Sequence, residues 1–215
     1  LRKKTLVRDA GCYDIVIPTE GDAEKIASFD GKKTMSMLNP FLLAEKLHYK
    51  SAAEPQTLTE KPYIMLYASE VDDVTYDKLA ELATQLDWDL LVNDRLPVRE
   101  GAIAYSEERL DAFYGILVAA DYVVTDSYVV AGLATEASQA LTILENADER
   151  LQEFGRRNKL EKSMAGIAEN EKQITAIKTK VNNASLQMAE RRFAAYRELE
   201  DIMGLTRRVD CPTDI

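Results

Sequence analysis

The 215-residue chain has two cysteines, one histidine, six prolines and one tryptophan, and it is short of positive charge, with 27 Lys and Arg against 37 Asp and Glu. Each scarcity excludes something. Cys12 and Cys211 stand alone, far apart and outside any CxxC pattern, which speaks against a disulfide scaffold and for a reducing, cytoplasmic setting. One His without an HExxH pattern speaks against a zinc site, so we expect no metal. The strictly apolar stretch Ile116 to Ala120 is five residues long, whereas a membrane-spanning helix needs about 20. The opening Leu-Arg-Lys-Lys is too polar for a signal peptide, and Leu at position 1 leads us to expect that the natural N-terminus has been lost. GxGxxG, the Walker loop and GxSxG are missing as well, so no nucleotide or nucleophile motif is announced.

What is present is a soluble globular composition, 46% hydrophobic and 30% charged. A chain of this length buries roughly 70% of its unfolded surface and needs no staple to be stable. The net charge is −10, and its distribution is uneven. Residues 160–204 and the tail after them are balanced, so the excess lies in residues 1–159, with 18 basic against 28 acidic residues. That field repels nucleic acid and anionic lipid, and no basic stripe with interleaved aromatics offsets it.

Over residues 1–159, short β-branched runs alternate with amphipathic segments, the pattern of βα units around a mostly parallel sheet. The expected strands are Pro62–Tyr67, Trp88–Val92, Tyr122–Thr125 and Ala140–Leu144, with weaker candidates at Lys4–Val7 and Thr34–Leu38. Helices are expected at Asp73–Leu86, at Glu107–Ala119 with Ser106 as its N-cap, at Val129–Ser138 and at Asp148–Arg157. The fold class is thus α/β, a three-layer Rossmann-like domain followed by a long C-terminal helical segment, 160–204, and a tail, 205–215.

In the segment 160–204, Leu160, Ile167, Ile174, Val181, Met188, Ala195 and Ile202 recur every seven residues. The column four residues on holds Glu171, Lys178, Ser185 and Arg192, too polar for a coiled-coil seam. A long or broken helix lying across its own or a neighbouring domain is therefore preferred, with helix-mediated self-association as the competing expectation.

In a parallel α/β sheet, ligands sit outside the carboxyl ends of the strands. Two places fit. One is Thr125-Asp126-Ser127-Tyr128, where Asp126 or Ser127 caps the following helix or meets a ligand. The other is Leu6-Val7-Arg8-Asp9, where the Arg8 fork suits a phosphate or carboxylate, against the plainer reading of an Arg–Asp surface pair. His48 and the acidic pairs Asp72-Asp73 and Glu107-Glu108 are placed at helix ends where the dipole accounts for them.

The order of these segments resembles the C-terminal half of the polysaccharide pyruvyl transferase family. Val7-Arg8-Asp9 with Tyr13-Asp14-Ile15-Val16 is similar to the family's VRE/D segment, and Asn39-Pro40-Phe41-Leu42-Leu43 to DPTLLL. Lys61 to Tyr67 is similar to KPYILVY, and Ala120 to Tyr128 to ADFVVTDSFHG. The resemblance implies one Rossmann-like half of a glycosyltransferase-B-like architecture. It also implies a cytoplasmic protein of bacterial cell-surface polysaccharide biosynthesis, with phosphoenolpyruvate as donor substrate, a sugar acceptor and no other cofactor. The N-terminal half of that architecture is not in this sequence. It carries over Arg8, Asp126 and Ser127 as substrate contacts, beside which Tyr128 is also expected to bind substrate; from the residues themselves, a bound anion is expected where the Thr125–Val130 loop meets the Leu6–Asp9 strand end, where Arg8, the Ser127 hydroxyl and helix N-terminal amides can converge. It carries over no general acid: Val129-Val130-Ala131 replace the family's His-Gly-Thr, and Gln139-Ala140 its later Lys-Pro. A catalytically silent binding module and a nucleotide-sugar glycosyltransferase are the alternatives.

Overall fold

The computed structural model describes residues 58–106 and 109–202, together with two short strands, β1 (Ile15–Val16) and β2 (Lys33–Thr34), which pair in parallel as a small sheet of their own. The main sheet contains β3 (Tyr63–Tyr67), β4 (Asp89–Asn93), β5 (Ala102–Tyr105), β6 (Tyr122–Thr125) and β7 (Ala140–Ile143). Its order is β5-β4-β3-β6-β7 and every pairing is parallel. The helices are α1 (Asp73–Leu86), α2 (Leu110–Ala119), α3 (Tyr128–Ala137), α4 (Glu149–Arg157) and α5 (Glu171–Ile202), with a 3-10 turn at Glu161–Met164. This is the α/β, Rossmann-like fold expected, with its long C-terminal helix.

The central strands explain why the fold is legible. Ile64, Met65 and Leu66 of β3 and Tyr122, Val123 and Val124 of β6 are fully buried, because crossover helices cover both faces of a parallel sheet and leave no face for polar alternation. β5 differs. It is an edge strand of Ala, Ile, Ala and Tyr, half-buried over its first two residues and exposed at the third, and sequence reasoning missed it. Tyr105 anchors it, since its phenol passes over β4 to donate to the Leu66 carbonyl at 3.1 Å.

Helix boundaries follow their caps. Asp72 accepts from the Thr75 amide at 2.6 Å and starts α1. Asp148 accepts from the Leu151 amide at 2.8 Å and starts α4. The expected Ser106 cap is not used: α2 begins at Leu110, after Arg109 in extended conformation and without a side-chain cap bond. The expected strands Lys4–Val7 and Thr34–Leu38 lie outside the described residues, apart from Thr34 in β2.

The C-terminal segment is a broken helix packed on β7 and α3. Ile174, Val181, Met188 and Ala195 of the seven-residue column are buried against the domain. Its inward companion lies three residues on, at Ile177 and Ala184, rather than four. The column is thus filled by the chain's own domain and is not available to a second helix. Between the 3-10 turn and α5, Gly166 adopts a φ of +106°, a left-handed conformation that disfavours any residue with a Cβ. There the Gly166 carbonyl and the Ala168 amide join a buried network with the Thr142 and Tyr122 hydroxyls.

Candidate functional site at the strand-order reversal

Along the chain, the sheet grows from β3 outward to β4 and β5, then returns to β6 on the other side of β3. The loops after β3 and β6 consequently leave in opposite directions and open a crevice at the carboxyl ends, the position where doubly wound sheets bind ligands. A cleft of about 600 Å³ lies there, lined by Tyr67 at the end of β3 and Ser69 after it, Arg95 after β4, residues 126–129 after β6, and Asn146, Asp148 and Arg150 after β7.

The floor of the cleft is the start of α3. Ser127 is its N-cap, accepting from the Val130 amide at 3.5 Å, while its own amide donates to the Thr125 hydroxyl at 2.9 Å. First-turn amides of a helix have no intrahelical acceptor and carry the positive end of its dipole, so this floor favours an anion. Asp126 does not cap the helix. Its carboxylate accepts from the Ser69 amide at 3.0 and 2.9 Å and from the Ser69 hydroxyl, and so ties the loop after β6 to the loop after β3. A second tie runs from the Asn146 side-chain amide to the Glu70 carbonyl at 3.4 Å.

Two cations stand on the walls. Arg95 is carried by a turn fixed at several points. Its amide donates to the Asn93 side-chain oxygen at 3.1 Å, the Leu96 amide to the Asn93 carbonyl at 2.9 Å, and the Asp94 amide to the Tyr105 carbonyl at 2.9 Å. Arg150 comes from the first turn of α4, and its guanidinium lies 5.2 Å from the ring centroid of Tyr128. Tyr128 is buried and meets Phe154 edge-on at 5.5 Å, so it supports Arg150 and the floor rather than offering its ring to the cleft.

Of the residues singled out in sequence, Asp126, Ser127 and Tyr128 are therefore brought together in the cleft, while Arg8 and His48 lie outside the described residues. The expected meeting of the 125–130 loop with Leu6–Asp9 lies outside them too; within the described residues, the loop's partner is Ser69. Position 139 is corrected by topology. Gln139 precedes β7, at the end of the sheet opposite the cleft, where its side-chain amide donates to the Val118 carbonyl, so no residue at that position can act in the crevice. Val129 does line the cleft and is 47% exposed. Arg95 and Arg150 were missed. The rule that selected Arg8, an arginine just past a strand end, applies to Arg95 in Asn93-Asp94-Arg95. Arg150 follows the Asp148 cap of the helix after the last strand.

Beside the cleft, a groove of about 520 Å³ runs along Glu70, Asp72, Thr75, Lys78, Glu145 and Gly166. Asp72 is held below the usual carboxylate range by hydrogen bonds from Thr75. Burial pushes the Tyr63, Tyr105 and Tyr122 phenols well above the ordinary tyrosine value, which keeps them neutral structural groups. Among the described residues, no three His, Cys, Asp or Glu side chains gather to hold a metal, and no helix is long and apolar enough to cross a membrane.

No known family model matches the chain, and no curated protein matches it. Solved structures do. A putative UDP-N-acetylglucosamine 2-epimerase from Listeria monocytogenes matches over 91% of this chain and 60% of its own, at 16% identity and a TM-score of 0.55. Spinosyn forosaminyltransferase matches over 89% and 55%, at 11% identity and a TM-score of 0.49. The UDP-GlcNAc 2-epimerase of Neisseria meningitidis, bound to UDP-GlcNAc, matches over 69% and 48%, at 12% identity and a TM-score of 0.43. The first of these supports the fold assignment, and at such identity the likeness concerns fold alone. The chain spans about 60% of the length of that epimerase. What fold and cleft together define is a class: a Rossmann-like α/β domain with a helix-floored crevice at its strand-order reversal, lined by two arginines, Arg95 and Arg150, and two aspartates, Asp126 and Asp148.

Proposed function

We propose that the chain is the donor-binding half of a pyruvyl-transferase-like protein of cell-surface polysaccharide biosynthesis, and that its crevice takes phosphoenolpyruvate. The observation that carries this reading is the convergence of Arg95, Arg150 and the α3 N-terminus on one cleft. Phosphoenolpyruvate has two anionic groups. Its phosphate suits the helix amides, and guanidinium forks on two walls suit a phosphate and a carboxylate held apart. Asp126 serves as the loop tie that keeps the floor and the β3 loop in register. Arg8 remains a further proposed contact on the strength of the resemblance.

Calorimetric titration of phosphoenolpyruvate into the wild type, Arg95→Ala and Arg150→Ala tests the reading. Removing a charge-assisted contact costs about 1.5–3 kcal/mol, so each variant loses roughly 10- to 150-fold in affinity. No heat from the folded wild type, or equal affinity in all three, refutes it. Two observations keep two further readings in play. Val129 at the cleft mouth cannot donate a proton, which favours a silent binding module; phosphate release from phosphoenolpyruvate by the wild type with sugar acceptors counts against silence. The cleft volume exceeds the need of a three-carbon phosphate, which favours a nucleotide-sugar donor, and UDP-N-acetylglucosamine is titrated beside phosphoenolpyruvate to decide between them.

A further inference from the structure

Helix α5 carries two apolar stripes, and among the described residues the domain covers only one of them. On the outer side, Leu186, Phe193 and Tyr196 are 68%, 59% and 40% exposed, with Ala189 exposed between them. Their spacing of threes and fours sets them in one line along the helix, the arrangement of a helix-pairing seam rather than of scattered surface residues. Beside this line stand Glu190 and Arg197, both exposed, of opposite sign and seven residues apart. The Arg197 guanidinium lies 4.9 Å from the Phe193 ring centroid, at the border of the patch.

We propose that this face pairs two copies of the chain, α5 against α5, antiparallel about a twofold axis. Phe193 packs on Tyr196 of the partner subunit, and Glu190 stands beside Arg197 of the partner subunit. The charge pattern selects a second copy as the occupant. A twofold interface must be complementary to itself, and in an antiparallel helix pair the flanking positions of one heptad class face each other in reversed order. Glu190 and Arg197 belong to one such class, so reversal sets each acid against a base on both sides of the axis. A parallel pair would not bring these two positions to face each other. The contact spans about two heptads and buries less than the ~800 Å² per partner of a standard interface, so the dimer is weak and concentration-dependent. It uses a face distinct from the seven-residue column, which is buried in the domain.

Sedimentation velocity of the full chain over a wide dilution series tests this. Wild type shifts from monomer to dimer as concentration rises. Phe193→Ser, Glu190→Arg and Arg197→Glu each remain monomeric, while the double reversal Glu190→Arg with Arg197→Glu recovers the dimer. Circular dichroism melts establish that every variant folds, as expected for exposed positions. A wild type that is monomeric at all concentrations, because another partner covers this face, overturns the proposal. So does an association that survives Phe193→Ser, or a double reversal that fails to recover it.

Discussion

Glu136, in the last turn of α3, meets Arg192 of α5 in an ion pair whose side chains are 2% and 8% exposed. The helix whose first turn floors the cleft is thereby fixed at its far end to the C-terminal helix. Replacing Glu136 by Leu removes one partner and leaves the guanidinium buried without its counter-charge. Breaking a buried pair in this way costs about 3–5 kcal/mol. Domains of this size lose roughly 2–4 °C in Tm per kcal/mol, so Glu136→Leu should melt about 6–20 °C below the wild type. Removing both charges has the opposite logic, because desolvation of the pair is relieved: Glu136→Leu with Arg192→Met should fall within about 1 kcal/mol of the wild type or above it. Urea unfolding followed through Trp88, the single tryptophan, at the head of β4, measures the full double-mutant cycle. A loss below about 1 kcal/mol for Glu136→Leu, or a double variant as unstable as the sum of the singles, would refute the account of the α3–α5 contact.

Tyr122→Phe should cost about 1–3 kcal/mol in the same urea assay, because the phenol accepts from the Ala168 amide at 3.1 Å and bonds the Thr142 hydroxyl at 2.6 Å, and its loss leaves a buried amide unpaired; a variant as stable as the wild type contradicts that. Asp72 has a folded pKa depressed below its ordinary 3.8, so its contribution is complete above that value and lost as pH falls through the folded pKa. Asp72→Asn keeps the cap of α1 but should flatten the acid limb of the Tm–pH curve, and an unchanged limb counts against the assignment.

The sheet was legible because its central strands obey one rule without exception. A run such as Tyr63-Ile64-Met65-Leu66-Tyr67 is apolar throughout, since both faces are covered. β5 was illegible for the converse reason: two alanines carry little strand preference, and an edge strand needs no continuous apolar run. The seven-residue column of α5 points to a long or broken helix lying across a domain, and the structure buries Ile174, Val181, Met188 and Ala195 of that column. Its companion was sought at four residues, where Arg192 looked like an interruption, and the Glu136 carboxylate that accommodates it is supplied by a distant helix. The site suffered most. Arg95 and Arg150 belong to different βα units, and only the reversal of strand order at β3 and β6 brings their loops to one crevice. Spacing along a chain carries no record of that reversal.

If the cleft takes phosphoenolpyruvate as proposed, the same geometry divides binding from turnover. Charge for holding an anion enters the cleft from three elements, the β4 turn, α3 and α4, and each is fixed by a backbone or capping bond independent of any ligand. Preorganisation of that kind favours affinity, since little ordering remains to be done on binding. Proton transfer is different. Ser127 and Asp148 are engaged in capping and Asp126 in the tie to Ser69, while Val129 faces the cleft at the place where the resembling family carries its histidine. Val129→His is therefore the substitution that separates the two functions. It should leave the affinity for phosphoenolpyruvate within a few-fold of the wild type, because an exposed residue is exchanged at the mouth and neither arginine is moved. It should raise phosphate release with a sugar acceptor above the wild-type rate, with a pH profile that bends near the ordinary histidine pKa of about 6.5. Phosphate release unchanged in a folded variant that still binds phosphoenolpyruvate would mean that position 129 is not where the proton is handled.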